Sequence, residues 1–206
     1  MDLTTYTGLK AAVATTLNRD DLASEVPAFI SLAESSINRD VRHWRMESRS
    51  TLSISGQYTA LPTDWLESGR ITLQGDGTTE LGLVSLSELS SLRAKASDAT
   101  GRPLYYAING SDIEVFPSPS STYTADIIYT SRTAALSDSN ASNWLLTYAP
   151  DVYLYGALIH SAPFLHEDER AQTWAALYNA AVMNLNKDSQ KAKIGGSGMR
   201  MKVKSY

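Results

Sequence analysis

His43, His160 and His166 are the only imidazoles in the chain, and their spacing gives them no shared chemistry. His160 and His166 stand six residues apart with Pro163 between them, which does not bring both to one face of a helix. Neither they nor Glu167 and Glu169 follow a recognised metal-ligand spacing. His43 lies beside Trp44 at a predicted helix end and reads as a partly buried or capping imidazole. The chain has no cysteine, which removes a thiol nucleophile, a Cys-ligated zinc site, an iron–sulfur cluster and a disulfide scaffold. Gly75 and Gly77 precede no Lys-Ser/Thr pair and are explained by a hairpin turn rather than a phosphate cradle. No serine sits in a Gly-x-Ser-x-Gly elbow, and the acids are too numerous for any pair to be singled out as glycosidase carboxylates. The sequence therefore predicts no enzyme, no catalytic residue, no cofactor and no metal.

What remains is binding. Arg39, Arg42, Arg45 and Arg49 crowd one stretch, the first three at every third residue near the end of a predicted helix. They form either a set of cations that favours the helix C-terminus or a basic stripe facing a partner's acids or nucleic-acid phosphates. Trp44 is the only aromatic among them, so base stacking is not supported. The second feature is the C-terminal stretch. Lys187, Lys191, Lys193, Arg200, Lys202 and Lys204 face the single acid Asp188, a net of +5, so the overall −4 hides −9 on the rest of the chain. Met199, Met201 and Val203 alternate with Arg200, Lys202 and Lys204. That period of two fits a strand added to a sheet of another protomer or another protein. Gly195, Gly196, Ser197 and Gly198 supply a flexible lead.

These features need elements to hold them. Leu9, Val13 and Leu17 mark a short amphipathic helix, broken at Arg19, Asp20 and Asp21. Val26, Phe29, Ile30, Ala33, Ile37, Val41 and Trp44 form one longer apolar stripe, with Pro27 suited to its first turn. From Ser48 the period becomes two. Strands are expected at residues 51–55, 58–62, 71–73, 81–84, 104–108, 113–116 and 123–130, with a helix at 87–96 and an Asn109-Gly110 turn of type I′. Residues 151–165 are apolar almost all round, as in a helix that is central or covered by a neighbouring subunit, and Pro163 kinks or ends it. A last helix opens at Glu167, Asp168 and Glu169, acids that suit its positive end, and carries Trp174, Leu177, Tyr178, Val182 and Leu185 on one stripe. Neither helical part has enough apolar faces alone, so the expectation is an α+β protein. Residues 1–48 and 136–190 form one helical bundle, 49–135 an inserted, mainly antiparallel β lobe, and 191–206 an extended C-terminal docking tail. No run of about 18 apolar residues and no basic-then-apolar leader occurs, so a soluble chain with no membrane association is expected.

The run Phe29-Ile30-Ser31-Leu32-Ala33-Glu34, followed by Ile37-Asn38-Arg39-Asp40 and Arg42, resembles the opening helix of the head-to-tail adaptor (head completion, connector) proteins of tailed bacteriophages. Residues 58–65 (YTALPTDW), 101–107 (GRPLYYA), 116–119 (FPSP), Tyr129, 136–144 (LSDSNASNW), 150–165 (PDVYLYGALIHSAPFL) and 168–178 continue the likeness in order over nearly the whole chain. The resemblance implies a structural virion protein at the head–tail junction, made in the host cytoplasm. It implies a homo-oligomeric ring, typically of twelve subunits, beneath the portal protein. Such a ring presents a docking surface for a downstream tail or nozzle protein, and double-stranded DNA passes through it without sequence-specific binding. The implied portal- or neighbour-binding residues are Lys191, Lys193, Met199, Arg200, Met201, Lys202, Val203, Lys204 and Tyr206. A virion-associated cell-wall hydrolase and a DNA-binding protein are the alternative readings.

Overall fold

The computed structural model describes residues 2–75, 79–97, 99–165 and 169–194. Helices α1 (Tyr6–Leu17) and α2 (Val26–Asp40) come first. Strands β1 (Glu47–Ile54), β2 (Tyr58–Ala60), β3 (Trp65–Leu73), β4 (Thr79–Glu80) and β5 (Gly82–Leu83) follow, and then helix α3 (Leu86–Lys95). Strands β6 (Thr100–Gly101), β7 (Tyr105–Asn109), β8 (Asp112–Phe116), β9 (Ser118–Pro119) and β10 (Tyr123–Ser131) complete the β part. Helices α4 (Trp144–Tyr148), α5 (Pro150–Ser161) and α6 (Arg170–Ile194) close the chain, which is thus α+β. It divides into two compact units, one of Met1–Met46 with Thr133–Tyr206, the other Glu47–Arg132.

In the helical unit α5 meets α1, α2, α4 and α6. Its Val152, Tyr153, Ala157 and Leu158 are wholly buried. Leu154, Tyr155 and Ile159 are only partly buried, so helices of the same chain cover most but not all of its apolar circumference. The approach is closest at Gly156, where a Cβ would lie 3.1 Å from Ala33 Cβ and 3.4 Å from the Tyr178 ring. α1 is capped by the Thr5 hydroxyl, which accepts from the Gly8 amide, and ends on Asn18 in the left-handed region at φ 54°. The α-helical part of α5 stops at Ser161 and continues as a 3₁₀ turn, Ala162–Phe164, that contains Pro163.

α2 ends sooner than its apolar stripe suggests. A continuing helix would send the Arg42 amide to the Asn38 carbonyl. Instead that amide donates to Asn186 Oδ1 at 2.8 Å, while the Arg42 guanidinium takes the Asn38 and Val41 carbonyls at 3.0 and 2.6 Å. Val41 is extended, and Trp44–Met46 form a 3₁₀ turn. The expected arginine stripe is corrected accordingly: Arg39 is on α2, Arg42 in the connection, Arg45 in the 3₁₀ turn and Arg49 on β1.

The β unit holds two four-stranded sheets, ordered β1-β10-β3-β4 and β2-β8-β7-β5, and a small β6-β9 pair. Alternate residues of both large sheets, among them Leu52, Ile54, Ile71, Leu73, Tyr106, Ile113, Val115 and Ile127, enter one apolar cluster, as two half-buried sheets require. Among the described residues only β5–β7 and β6–β9 are parallel. The β7–β8 turn also departs from expectation. Asn109 still pairs with Asp112, so the loop is Gly110-Ser111, with positive φ at Gly110 (64°) alone, the pattern of type II′ rather than I′. Helix α3, capped by Ser85, seats Leu89 on Ala107 and Phe116. Its Arg93 forms a largely buried ion pair with Glu114 at 3.0 Å.

α6 remains helical to Ile194, so Lys191 and Lys193 belong to its last turns rather than to an extended tail. Met199, Arg200, Met201, Lys202, Val203, Lys204 and Tyr206 lie outside the described residues, as do His166, Glu167 and Asp168.

The contact at Gly156 has a direct consequence. Replacing Gly156 with Val forces side chains into the Ala33 and Tyr178 surfaces, and overpacking of this kind costs about 1–3 kcal/mol. Urea unfolding should show that loss for Gly156→Val, and an unchanged midpoint would mean the three helices do not pack as described.

Candidate interaction surface

The arginines predicted to form a binding stripe are each occupied locally. Arg39 donates to Ser36 Oγ at 3.1 Å, Arg42 covers the end of α2, and Arg49 pairs with Asp126 at 2.7 Å. Arg45 lies over two aromatic rings, 4.6 Å from the Tyr148 centroid and 5.3 Å from that of Trp44. The four lie on α2, the connection after it, the 3₁₀ turn and β1, and so do not form a single helical stripe.

Around Arg45 the structure assembles a group that spacing alone did not reveal. The His43 ring is buried and stacks on Trp144 at 5.1 Å, with the Trp44 and Tyr148 rings at 5.5 and 5.8 Å. Its Nδ1 accepts from the Arg45 amide at 3.2 Å. The backbone carrying these residues is fastened to α6: the Trp44 amide donates to Ser189 Oγ at 2.9 Å, Asn186 Nδ2 to the Asp40 carbonyl at 3.0 Å, and the Tyr178 hydroxyl to Asp40 Oδ2 at 3.0 Å. The outcome is a shelf with Trp44 43% and Tyr148 48% exposed and the Arg45 guanidinium between them. Beside Tyr148 runs a shallow groove of about 230 Å³, floored by Ala149, Ala181 and Leu185 and edged by Asp151, Asn184 and Asp188. Asp188 is 3.6 Å from Lys191, an exposed pair of little energetic weight. Aromatic rings with a cation and a rigid floor make a surface suited to protein contact. The clue in the sequence was Trp44-Arg45 with Trp144 and Tyr148. Their approach depends on Asn186 and Ser189, polar residues of α6 that the apolar stripe leaves out.

A second constellation holds the segment entering α4. The Thr133 amide donates to Asn38 Oδ1 at 3.0 Å and the Leu136 amide to Glu34 Oε1 at 2.7 Å. Asn143 caps α4 by accepting from the Leu146 amide, and it donates to the Ala134 carbonyl and the Tyr153 hydroxyl, both at 2.7 Å. Burial raises the Glu34 pKa above its ordinary value, opposed by the Leu136 and Tyr153 hydrogen bonds. These are structural groups that satisfy irregular backbone. His160 is 3.2 Å from Ser36 Oγ. Among the described residues no three His, Asp or Glu side chains gather as a metal ion would require, and no helix is long and apolar enough to cross a membrane.

The geometry thus defines an α+β protein with an aromatic and cationic shelf exposed on its helical unit. The chain belongs to the SU10 adaptor protein family, whose family model matches residues 4–201 of its 206. This is a family of phage head-to-tail adaptors, structural proteins of the virion, as the succession of motifs in the sequence implied. A search of curated proteins finds no match.

The buried His43 and the half-buried His160 make stability depend on pH. Burial first, then the Arg45 charge, holds His43 below its ordinary 6.5, and burial followed by Arg39 does the same for His160. As pH falls past 6.5 the unfolded chain takes up these protons first, so this contribution is complete above that value and is lost on acidification until the folded imidazoles protonate. Glu34, with its raised pKa, acts in the opposite sense just above its ordinary 4.5. Urea midpoints should therefore fall between about pH 7.5 and about pH 5.5, and His43→Phe should show a shallower fall. A midpoint that rises over this interval, or an unchanged slope in the variant, would refute the assignment.

Proposed function

We propose that this chain forms a ring at the portal vertex of a tailed phage, binding the portal protein on one side and the incoming tail or nozzle component on the other. The observation that carries the reading is the family match over almost the whole chain. The ring, of twelve subunits as the resemblance implies, surrounds the path of double-stranded DNA and makes no sequence-specific contact with it. A body, residues 1–194, of net charge −7 suits such a conduit, because acidic walls repel phosphates.

The mechanism is assembly rather than turnover. Subunits add to the portal once the head is filled, and residues 195–206 order against portal or neighbouring subunits. That ordering costs conformational entropy on binding, which favours a free subunit that associates only on its template. The shelf of Trp44, Arg45 and Tyr148 and the exposed apolar residues Leu32 on α2 and Leu177 and Met183 on α6 are the surfaces of the helical unit offered for these contacts. The DNA-binding alternative is not favoured, since Arg42, Arg45 and Arg49 already have partners within the chain.

Deletion of residues 195–206 should leave a folded, soluble protein, with an unchanged circular dichroism spectrum, that no longer forms a second ring on purified portal in negative-stain images. A second ring of normal occupancy from the truncated chain would remove the tail from the mechanism. Its absence with the full chain as well would remove the adaptor reading.

A further inference from the structure

The four edges of the two large sheets differ greatly in length. β4 (Thr79–Glu80), β2 (Tyr58–Ala60) and β5 (Gly82–Leu83) are edges of two or three residues, short enough to discourage pairing with another chain. β1 is an edge of eight residues that pairs with β10 one for one, from Glu47↔Thr130 to Ile54↔Tyr123, with no bulge. Among the described residues no strand lies on its other side, and no backbone hydrogen bond reaches residues 48–54 from there. The usual guards are missing too. That stretch contains no proline and no lysine, and its one charge, Arg49, is turned to Asp126 at 2.7 Å. Its two faces are distinct: Leu52 and Ile54 are buried in the sheet core, whereas Arg49, Thr51 and Ser53 are exposed.

A strand laid along this edge must be apolar on the side of Leu52 and Ile54 and polar on the other. Residues 199–204, Met-Arg-Met-Lys-Val-Lys, have that pattern and nearly the length of the open stretch, and residues 195–198 join them to α6 through Gly-Gly-Ser-Gly. We propose that residues 199–204 of one subunit add as a strand to β1 of a neighbouring subunit. Met199, Met201 and Val203 then extend the Leu52 and Ile54 side, and Arg200, Lys202 and Lys204 lie on the side of Thr51 and Ser53. The choice of a neighbouring copy rests on the ring reading. A ring needs two different complementary surfaces on each subunit, and a tail and an open edge are such a pair. Main-chain hydrogen bonds supply the affinity and the alternation of side chains fixes the register. A register that sets the tail cations beside Thr51 and Ser53, rather than beside Arg49, also avoids like charges on adjacent strands.

The absence of cysteine makes the test clean, because every disulfide is then an introduced one. Full-length Lys202→Cys protein is mixed in turn with Thr51→Cys, Ser53→Cys, Ser50→Cys and, as a control on exposed α3, Ser90→Cys. Mild oxidation is carried out with and without portal, and intermolecular disulfides are quantified by non-reducing electrophoresis. Lys202→Cys should join Thr51→Cys or Ser53→Cys about tenfold or more above the Ser90→Cys control, because a docked strand raises the effective concentration of the pair. Ser50→Cys, on the opposite face, should stay at control level. Equal yields at all positions, or no preference between the faces, overturn the proposal. An intramolecular disulfide in a dilute Thr51→Cys, Lys202→Cys double variant overturns the neighbour in favour of the chain's own tail. Portal binding by the unsubstituted chain is measured alongside. If it binds while no selective disulfide forms, only the strand proposal fails, and if it does not bind, the adaptor reading fails as well.

Discussion

Asn186 Oδ1 takes the Arg42 amide proton that a longer α2 would have given to Asn38, and much of the helical unit follows from that substitution. The Asn38 carbonyl is left to the Arg42 guanidinium, α2 ends at Asp40, and the Asn38 side chain is directed to the Thr133 amide. One residue thus serves both the place where the chain leaves this unit and the place where it returns after the inserted sheets. Each such bond is worth only about 1 kcal/mol net, yet leaving one of these amides buried and unpartnered would cost about 1–3 kcal/mol. The polar face of α6 therefore decides where α2 may stop. It also sets where Trp44 and Arg45 come to lie, since Ser189 holds the Trp44 amide one turn beyond Asn186.

The β unit depends on a different constraint. Its two sheets share one apolar cluster, and Arg93 ties α3 to β8 through Glu114 and the Val115 carbonyl and to β9 through Ser118. A largely buried pair of this kind adds little net stability, but removing one partner leaves an unpaired charge. It therefore fixes the placing of α3 more than it strengthens the fold. Short edges at β2, β4 and β5 discourage pairing between sheets of separate molecules, and β1 is the exception.

Periodicity reported the elements well because burial follows it: the stripes of α1 and α2, that of α6 apart from the exposed Leu177, and the alternation in β1, β3 and β10 are the residues that enter the cores. It failed where a polar side chain overrides it. Val41 and Trp44 continue the apolar spacing of α2, but the hydrogen bond from Arg42 to Asn186, 144 residues away, has no trace in local pattern. The same holds for Asn109-Gly110, where pairing of Asn109 with Asp112 moves the turn by one residue. Nothing in the local pattern marks Gly156, and its role appears only when Ala33 and Tyr178 are brought against it. The alternation of residues 199–204 is plain in the sequence but lies outside the described residues. The shelf at Trp44 has no such trace, because Trp44 and Arg45 come from one segment and Trp144 and Tyr148 from another far along the chain.

A contact between a tail and an open edge need not be strong for each subunit to matter. In a closed ring every subunit gives one tail and receives one, so closure adds a contact without immobilising a further molecule. In the proposed assembly the portal would hold subunits side by side, and the entropy lost in ordering a short basic segment, which opposes pairing between free subunits, would be outweighed only on that template. The division of charge would serve the same end: residues 1–194, at −7, disfavour random association of copies, while residues 195–206, at +3, are drawn towards the acidic body of the next subunit. Long-range attraction would bring the tail near, and the alternation of its residues against Leu52, Ile54, Thr51 and Ser53 would select the edge it joins.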